Sequence, residues 1–250
     1  MQVDWQKAVG LLSVFFLIAA CVWEMCRPLS ILNLSHTRRW SLNFGLWVSI
    51  SILTSLVFRL SPIALAASRP GEFGLLPFLL IVDASLWLIH FSLHRFGVLW
   101  IWHATHHSDP EMDASTGLRF HPMEAFLESA VLLGLVWIFR PTVVSVIVFQ
   151  IIASASNYLV HANAALPPSV EKAMQWIFMT PGLHRPHHSV DPNAQKSNYG
   201  IVLSVWDRIF RTLHRQTFDP RCGIEGDPPA ASIDPVHVLA TLPWREWKKL

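Results

Sequence analysis

Five apolar stretches dominate this sequence, and each approaches the length that a helix needs to cross the hydrocarbon core of a bilayer. They cover residues 8–26, 43–66, 73–93, 125–139 and 142–160. A chain inside lipid must satisfy its own backbone hydrogen bonds, so such stretches form helices. We therefore predict an all-α, polytopic membrane helical bundle with four to five spans.

Composition agrees with a membrane protein and excludes one class of partner. Only 14% of the residues are charged, and 52% are hydrophobic, which is unusual for a soluble domain. A formal net charge of +2 gives no basic surface of the kind that binds nucleic acid, so we expect no nucleic-acid partner. A cleaved signal peptide is the alternative for residues 8–26, but no small-residue cleavage site follows them.

The basic residues indicate an orientation in the membrane. With the N-terminus outside, the positions left outside are Lys7, Arg59, Arg69 and Arg140. The inner segments then hold Arg27, Arg38, Arg39, Arg95, Arg119 and every Lys and Arg from Lys172 onward. Inner loops usually carry this excess, so we predict a multi-pass protein of a bacterial inner membrane or the endoplasmic reticulum, with the segments that carry the histidine clusters facing the cytoplasm.

Histidines are concentrated in three clusters. His90 and His94 close the third apolar stretch, and a spacing of four puts both rings on one helix face. The second cluster is His103, His106 and His107, so five imidazoles fall within a short stretch of chain. For the first pair taken alone, ordinary polar contacts at a membrane end remain the alternative to metal binding.

The third cluster repeats the spacing of the second and consists of His184, His187 and His188. Because Pro186 disfavours a helical conformation at Arg185, we expect a turn here that leads into a helix beginning near Pro186. His184 would then approach the metal from a loop.

Further candidates lie between the clusters. His161 ends the fifth stretch on the side of the other histidines and is a ninth candidate ligand, with a polar helix cap as the alternative. His121 precedes the fourth stretch and is either a ligand or a supporting partner, and Glu124 can orient an imidazole. His36, His214 and His237 lack partners in sequence, and we expect them to be solvated or structural.

So many neutral imidazoles exceed the needs of one metal ion and suit a dinuclear site. Imidazole binds iron, copper, zinc and nickel, so the ligand type alone does not select the metal, and zinc can substitute in purified protein. The carboxylate type of di-iron bundle is excluded, because no Glu-x-x-His occurs in an apolar stretch.

These motifs resemble the fatty acid hydroxylase and sterol desaturase superfamily, whose pattern is His-x-x-x-His followed by two His-x-x-His-His words. The words around Arg119-Phe-His-Pro-Met-Glu124, Asn198-Tyr-Gly and Trp206-Asp-Arg-Ile-Phe-Arg-Thr212 agree as well. The resemblance covers roughly residues 80–215. It implies that the ligands are His90, His94, His103, His106, His107, His161, His184, His187 and His188.

The resemblance also implies the chemistry. Two iron ions would activate O₂ as co-substrate, with two electrons from a reductant, to hydroxylate or desaturate a C–H bond of a sterol, fatty acyl or related lipid taken from the bilayer. We expect a separate electron donor resembling cytochrome b5 or ferredoxin. The implied division is membrane spans at 1–70, a hydroxylase/desaturase-like catalytic domain at 71–215 and an irregular tail at 216–250.

The chain departs from the superfamily pattern at two positions. Asn157 stands where some relatives carry a histidine four residues before His161, which reduces the ligand count of one iron or leaves a contact through water. Arg211 replaces a residue that is usually small.

Two rival functions are a membrane metal transporter and a zinc-dependent membrane hydrolase. A transporter would place its metal ligands near the middle of a span. A zinc hydrolase would need about three protein ligands and an open coordination position.

Overall fold

A computed structural model describes residues 4–249, and within this range the chain is helical with four isolated backbone bridges and no strand. The first seven helices are α1 (Trp5–Cys26), α2 (His36–Phe58), α3 (Pro62–Ser68), α4 (Leu75–Arg95), α5 (Gly97–His107), α6 (Pro122–Phe139) and α7 (Val143–His161). The remaining helices are short: α8 (Pro168–Met174), α9 (Pro181–His187), α10 (Pro192–Gln195), α11 (Val205–Ile209) and α12 (Leu242–Trp247). The predicted all-α fold is confirmed.

By length and composition, five segments can cross a membrane: α1, the continuous region His36–Ser68, α4, α6 and α7. These helices expose large apolar side chains, including Leu11 at 73%, Leu56 at 66% and Leu76 at 65% of their surface. In a bilayer these side chains contact lipid and need no protein partner. The predicted five-span bundle therefore agrees with the structure.

The hairpin between α6 and α7 illustrates how the sequence ends one span and begins the next. Arg140 has a left-handed backbone with φ of 50°, and Pro141 follows it, so α6 cannot continue. The hydroxyl of Thr142 then accepts a hydrogen bond from the backbone N–H of Ser145 and caps α7. Only three residues, 140–142, connect the two spans, and the chain reverses its direction there.

An apolar core fills the bundle at the end remote from the histidines. Phe78 and Val82 of α4 pack there against Val136 of α6 and against Val146 and Phe149 of α7. At the other end the packing is polar, since the buried Arg39 guanidinium contacts Asp109 and Asp113 at 3.0 and 2.8 Å. One end of the molecule therefore suits lipid, and the other holds a polar site.

Two local predictions were wrong. The third histidine cluster is not a turn that precedes a helix at Pro186: His184 and His187 lie on α9, which begins at Pro181 after the N-cap Thr180, and His188 is its C-cap. The helix includes Pro186 because it is short and loses only the hydrogen bond that a proline cannot donate. Residues 216–250 are not irregular throughout either, since a 3₁₀ turn at Pro229–Ile233, a π-helical turn at His237–Thr241 and α12 follow. Val238 packs against α2 and Leu242 packs against α5, and this packing explains why the segment forms regular structure.

Candidate metal centre

Nine histidines converge into two groups of potential metal ligands. Within each group, the ligand atoms all lie within 4.8 Å of one another. The first group consists of His90, His94, His103, His107 and His187. The second group consists of His106, His161, His184 and His188. All nine sequence candidates are therefore brought together, and none of the nine falls outside a group.

Helical spacing explains which histidine joins which group. Residues four apart share a helix face, so His103 and His107 point to the first group while His106, between them, points to the second. The third cluster does the reverse, since His184 and His188 join the second group and His187 joins the first. Each His-x-x-His-His motif therefore contributes its first and last histidines to one group and its middle histidine to the other.

Nitrogen separations within the groups match those around a metal ion. Nε2 of His103 lies 3.1 Å from Nε2 of both His90 and His107. In the second group, Nε2 of His161 lies 3.1 Å from Nε2 of His106 and of His184. Two nitrogens bound at right angles to one ion, at a typical metal–nitrogen distance of about 2.1 Å, would be separated by about 3.0 Å.

The tautomers of several rings are fixed by their acceptors. Carbonyl oxygens only accept hydrogen bonds, so an Nδ1 that faces one carries the proton, and the Nε2 of that neutral ring is a bare lone pair. Four such contacts occur: His90 to Tyr199 at 2.9 Å, His106 to Arg119 at 3.0 Å, His161 to Asn157 at 2.6 Å and His187 to Ser197 at 2.7 Å.

As a consequence, His106 and His161 direct two lone pairs at each other across 3.1 Å. Two acceptors cannot form a hydrogen bond, and at this separation their lone pairs repel. A cation bound between the rings removes the repulsion. The donor set therefore fits a metal ion better than it fits a hydrogen-bonded histidine cluster.

Burial keeps the imidazoles outside the spans in the neutral form that binds metals. It lowers the pKa of His103 to about 3. It also holds the pKa values of His106, His107, His184, His187 and His188 well below their usual range, aided by the repulsion between neighbouring rings. These rings are unprotonated at neutral pH and need no proton release before they bind an ion.

Several ring nitrogens have no partner among the residues that the structure describes. Nδ1 of His107, His184 and His188 and Nε2 of His94 are buried without a hydrogen bond. A buried polar atom that forms no hydrogen bond is costly. For His94, a metal ion would satisfy the orphaned nitrogen, so this ring is available as a ligand on chemical grounds.

Glu124 supports the first group rather than acting on His121. Its Oε1 lies 2.7 Å from Nδ1 of His103, and both side chains are buried. A carboxylate on the far nitrogen orients a metal-binding imidazole and raises its basicity. His121 itself is outside both groups; it caps α6, where its Nδ1 accepts a hydrogen bond from Met123. The suggestion that His121 is a ligand is therefore not supported.

Asn157 makes two structural contacts beside the second group. Its side-chain amide donates to the carbonyl of Gly117 at 2.6 Å, and its own carbonyl accepts from His161. It also borders the cavity beside the histidines. The second group consequently contains four histidines where the first contains five.

Two residues that support the site, Asp207 and Arg119, were given no role from the sequence. Asp207 accepts hydrogen bonds from Trp87, Thr212 and two backbone N–H groups, which fixes the loop whose Tyr199 carbonyl orients His90. Arg119 holds Ser108 and Asn43 with its guanidinium while its carbonyl orients His106. Asp207 and Arg119 lie in sequence motifs shared with the superfamily, but their contacts depend on the tertiary structure and could not be read from those motifs.

A cavity of about 280 Å³ opens beside the two groups. Its wall includes His90, His103, His106, His161 and His184, together with Phe120 and Ile201. Phe120 also stacks on His106 with 5.0 Å between ring centroids. A small molecule or part of a lipid placed here would contact nitrogens of both groups.

Comparison with known proteins matches the region that holds this site. The fatty acid hydroxylase family model matches residues 75–212, which is more than half of the chain and includes all nine histidines. No solved structure matches the chain at a significant level.

Curated relatives are similar over the same region. An alkylglycerol monooxygenase of Xenopus tropicalis is 29% identical over 53% of this chain, and the human protein of that name is 26% identical over 63%. An ornithine lipid hydroxylase of Rhizobium tropici is 27% identical over 58%. The matched regions span 28%, 34% and 43% of these three relatives, so the chain covers less than half of their length.

Proposed function

Because this chain belongs to the fatty acid hydroxylase family, we propose that it is a membrane non-haem di-iron oxidoreductase that uses O₂ and two electrons to hydroxylate a lipid C–H bond. The relatives named for their activities are a monooxygenase and a lipid hydroxylase, which favours hydroxylation over desaturation. The observation that carries the proposal is the pair of opposed lone pairs on His106 and His161.

The nine histidines would hold two iron ions, five rings for one ion and four for the other. When bound, the iron pair would supply the activation of O₂. The protein provides orientation, because carbonyls and Glu124 fix the rings, and it limits the access of water, because most of the rings are buried.

The lipid would reach the centre from the bilayer through the cavity between the spans. Electrons would come from a separate donor of the cytochrome b5 or ferredoxin kind, which docks on the cytoplasmic side. We propose that the histidines face this side, in accordance with the distribution of basic residues.

Lipid analysis tests this function directly. Cells that express the chain and grow under isotopically labelled O₂ should accumulate a lipid that carries one labelled oxygen atom. Cells that express His106→Ala should lack it, because the variant removes a proposed ligand. Equal lipid profiles with and without the chain, across lipid classes, would contradict the proposal.

A further inference from the structure

The cavity at the histidines adjoins a second, larger one within the bundle. The smaller cavity has a volume of about 280 Å³ and the larger about 720 Å³. Their common wall consists of Ser13, Trp47, Leu86, Glu128, Ala153 and Ser154. The larger cavity extends along α2 to Arg59, about 18 Å from Trp47 at the rise of an α-helix. Together they can hold a polar head near the metal centre and an extended chain beyond it.

Glu128 is the acidic residue in this common wall. It lies one helical turn after Glu124 on α6, so the two residues share a helix face and their backbone positions are about 6 Å apart along the helix axis. Glu124 in turn contacts His103 at 2.7 Å. Glu128 therefore lies about one helical turn from the rings that would bind the first metal ion.

No described residue neutralises or hydrogen-bonds Glu128. Glu124, one turn earlier on the same helix, is itself hydrogen-bonded to His103 and offers Glu128 no positive charge. An acidic side chain inside an apolar span is costly, and such residues usually face a partner or a pathway. We therefore expect the hydrogen-bond partner of Glu128 to be a group bound in the cavity.

We propose that Glu128 determines substrate specificity by accepting a hydrogen bond from a hydroxyl or ammonium group in the lipid head. This inference rests on the proposed function and names its substrate class. The lipid carries a hydrogen-bond donor within a few bonds of the carbon that is oxidised. A plain acyl chain oxidised at mid-length would instead place methylene groups against a carboxyl group, which leaves it unsatisfied.

The arrangement of the cavities sets the orientation of the substrate. The head group occupies the smaller cavity, where its donor meets Glu128 and the adjacent carbon faces both histidine groups. The chain lies in the larger cavity, whose wall includes Leu132, Leu133 and Phe149.

Equilibrium binding tests the proposal without relying on turnover. Hexadecylglycerol, which has hydroxyl donors, is compared with its dimethyl ether, which keeps the chain and removes the donors, on metal-loaded protein in nanodiscs. The wild-type chain should prefer hexadecylglycerol by about twofold to tenfold, the range of a hydrogen bond between neutral groups. Glu128→Leu should abolish the preference, and Glu72→Gln, an exposed control, should keep it.

Glu128→Gln provides a second variant of nearly the same shape. It should retain most of the preference, because its amide oxygen can accept the same hydrogen bond. Equal binding of the two probes by the wild-type chain, or an unchanged preference in both Glu128 variants, would overturn the proposal. Metal content is measured on every sample. If no sample contained metal, this result would count against the proposed function, while the binding comparison would still decide the role of Glu128.

Discussion

The imidazole tautomer is the feature on which the metal site depends at the scale of single residues. His106 and His161 belong to different helices, yet backbone carbonyls fix the proton of each ring on Nδ1 and leave the Nε2 atoms 3.1 Å apart. The carbonyl of Asn157, one turn before His161 on α7, is the acceptor for that ring. His161 is therefore oriented as a ligand, and a simple polar cap would not require a facing lone pair.

Replacement of His161 by Ala should lower the bound metal from about two ions to about one per chain, because the second group would retain only three of its four rings. Product formation should be lost while the chain still inserts in the membrane. Elemental analysis of the purified variant measures the metal. His36→Ala is the control, since His36 is exposed at the start of α2 and should leave both properties unchanged. Normal metal content in His161→Ala would show that the ring is only a cap.

At the scale of secondary-structure elements, the helix spacing of the histidines was predictable and several boundaries were not. The four-residue spacings of His103 and His107, and of His184 and His188, place each pair in one group, as the helix geometry requires. Pro186 predicts a helix start near itself, whereas α9 begins at Thr180-Pro181, an N-cap followed by a proline at the first helical position, which is a typical helix start. The order of α12 depends on contacts with α5, including a 3.1 Å hydrogen bond from Trp100 to Glu246, and local sequence does not encode it.

The loop between α10 and α11 should depend on Asp207 for its stability. Asp207→Ala would leave the indole N–H of Trp87, the hydroxyl of Thr212 and the backbone N–H groups of Tyr199 and Gly200 without their acceptor. Each unsatisfied buried donor costs about 1–3 kcal/mol, so the thermal unfolding midpoint of the metal-loaded protein should fall by several degrees or more. Glu225→Ala, at an exposed position, is the control. An unchanged midpoint in Asp207→Ala would contradict this role.

The whole molecule has two chemically different ends, and its orientation in the membrane is still a prediction. Of the arginines assigned to the inner side, Arg39 and Arg119 are buried in the polar network beside the histidines. They therefore contribute to structure as well as to the charge asymmetry. The number of spans could be predicted because hydropathy is local, whereas the partition of the nine ligands between two groups required the relative placement of α4, α5, α7 and α9.

Cysteine labelling tests the orientation. In a chain without its native cysteines, Glu72→Cys and Asn193→Cys place single thiols at exposed positions on opposite ends of the bundle. A membrane-impermeant maleimide should label Asn193→Cys only from the cytoplasmic side and Glu72→Cys only from the other side. Labelling of both thiols from one side would refute the proposed topology.

The metal content of the intact chain tests the central claim most directly. Protein produced with iron available and purified without chelators should contain close to two metal ions per chain, one for each histidine group. Iron should predominate under these conditions, and zinc should replace it at the same total when iron is withheld, because imidazole accepts both metals. A total of one ion per chain, or none, measured by elemental analysis against the protein concentration, would contradict a dinuclear centre.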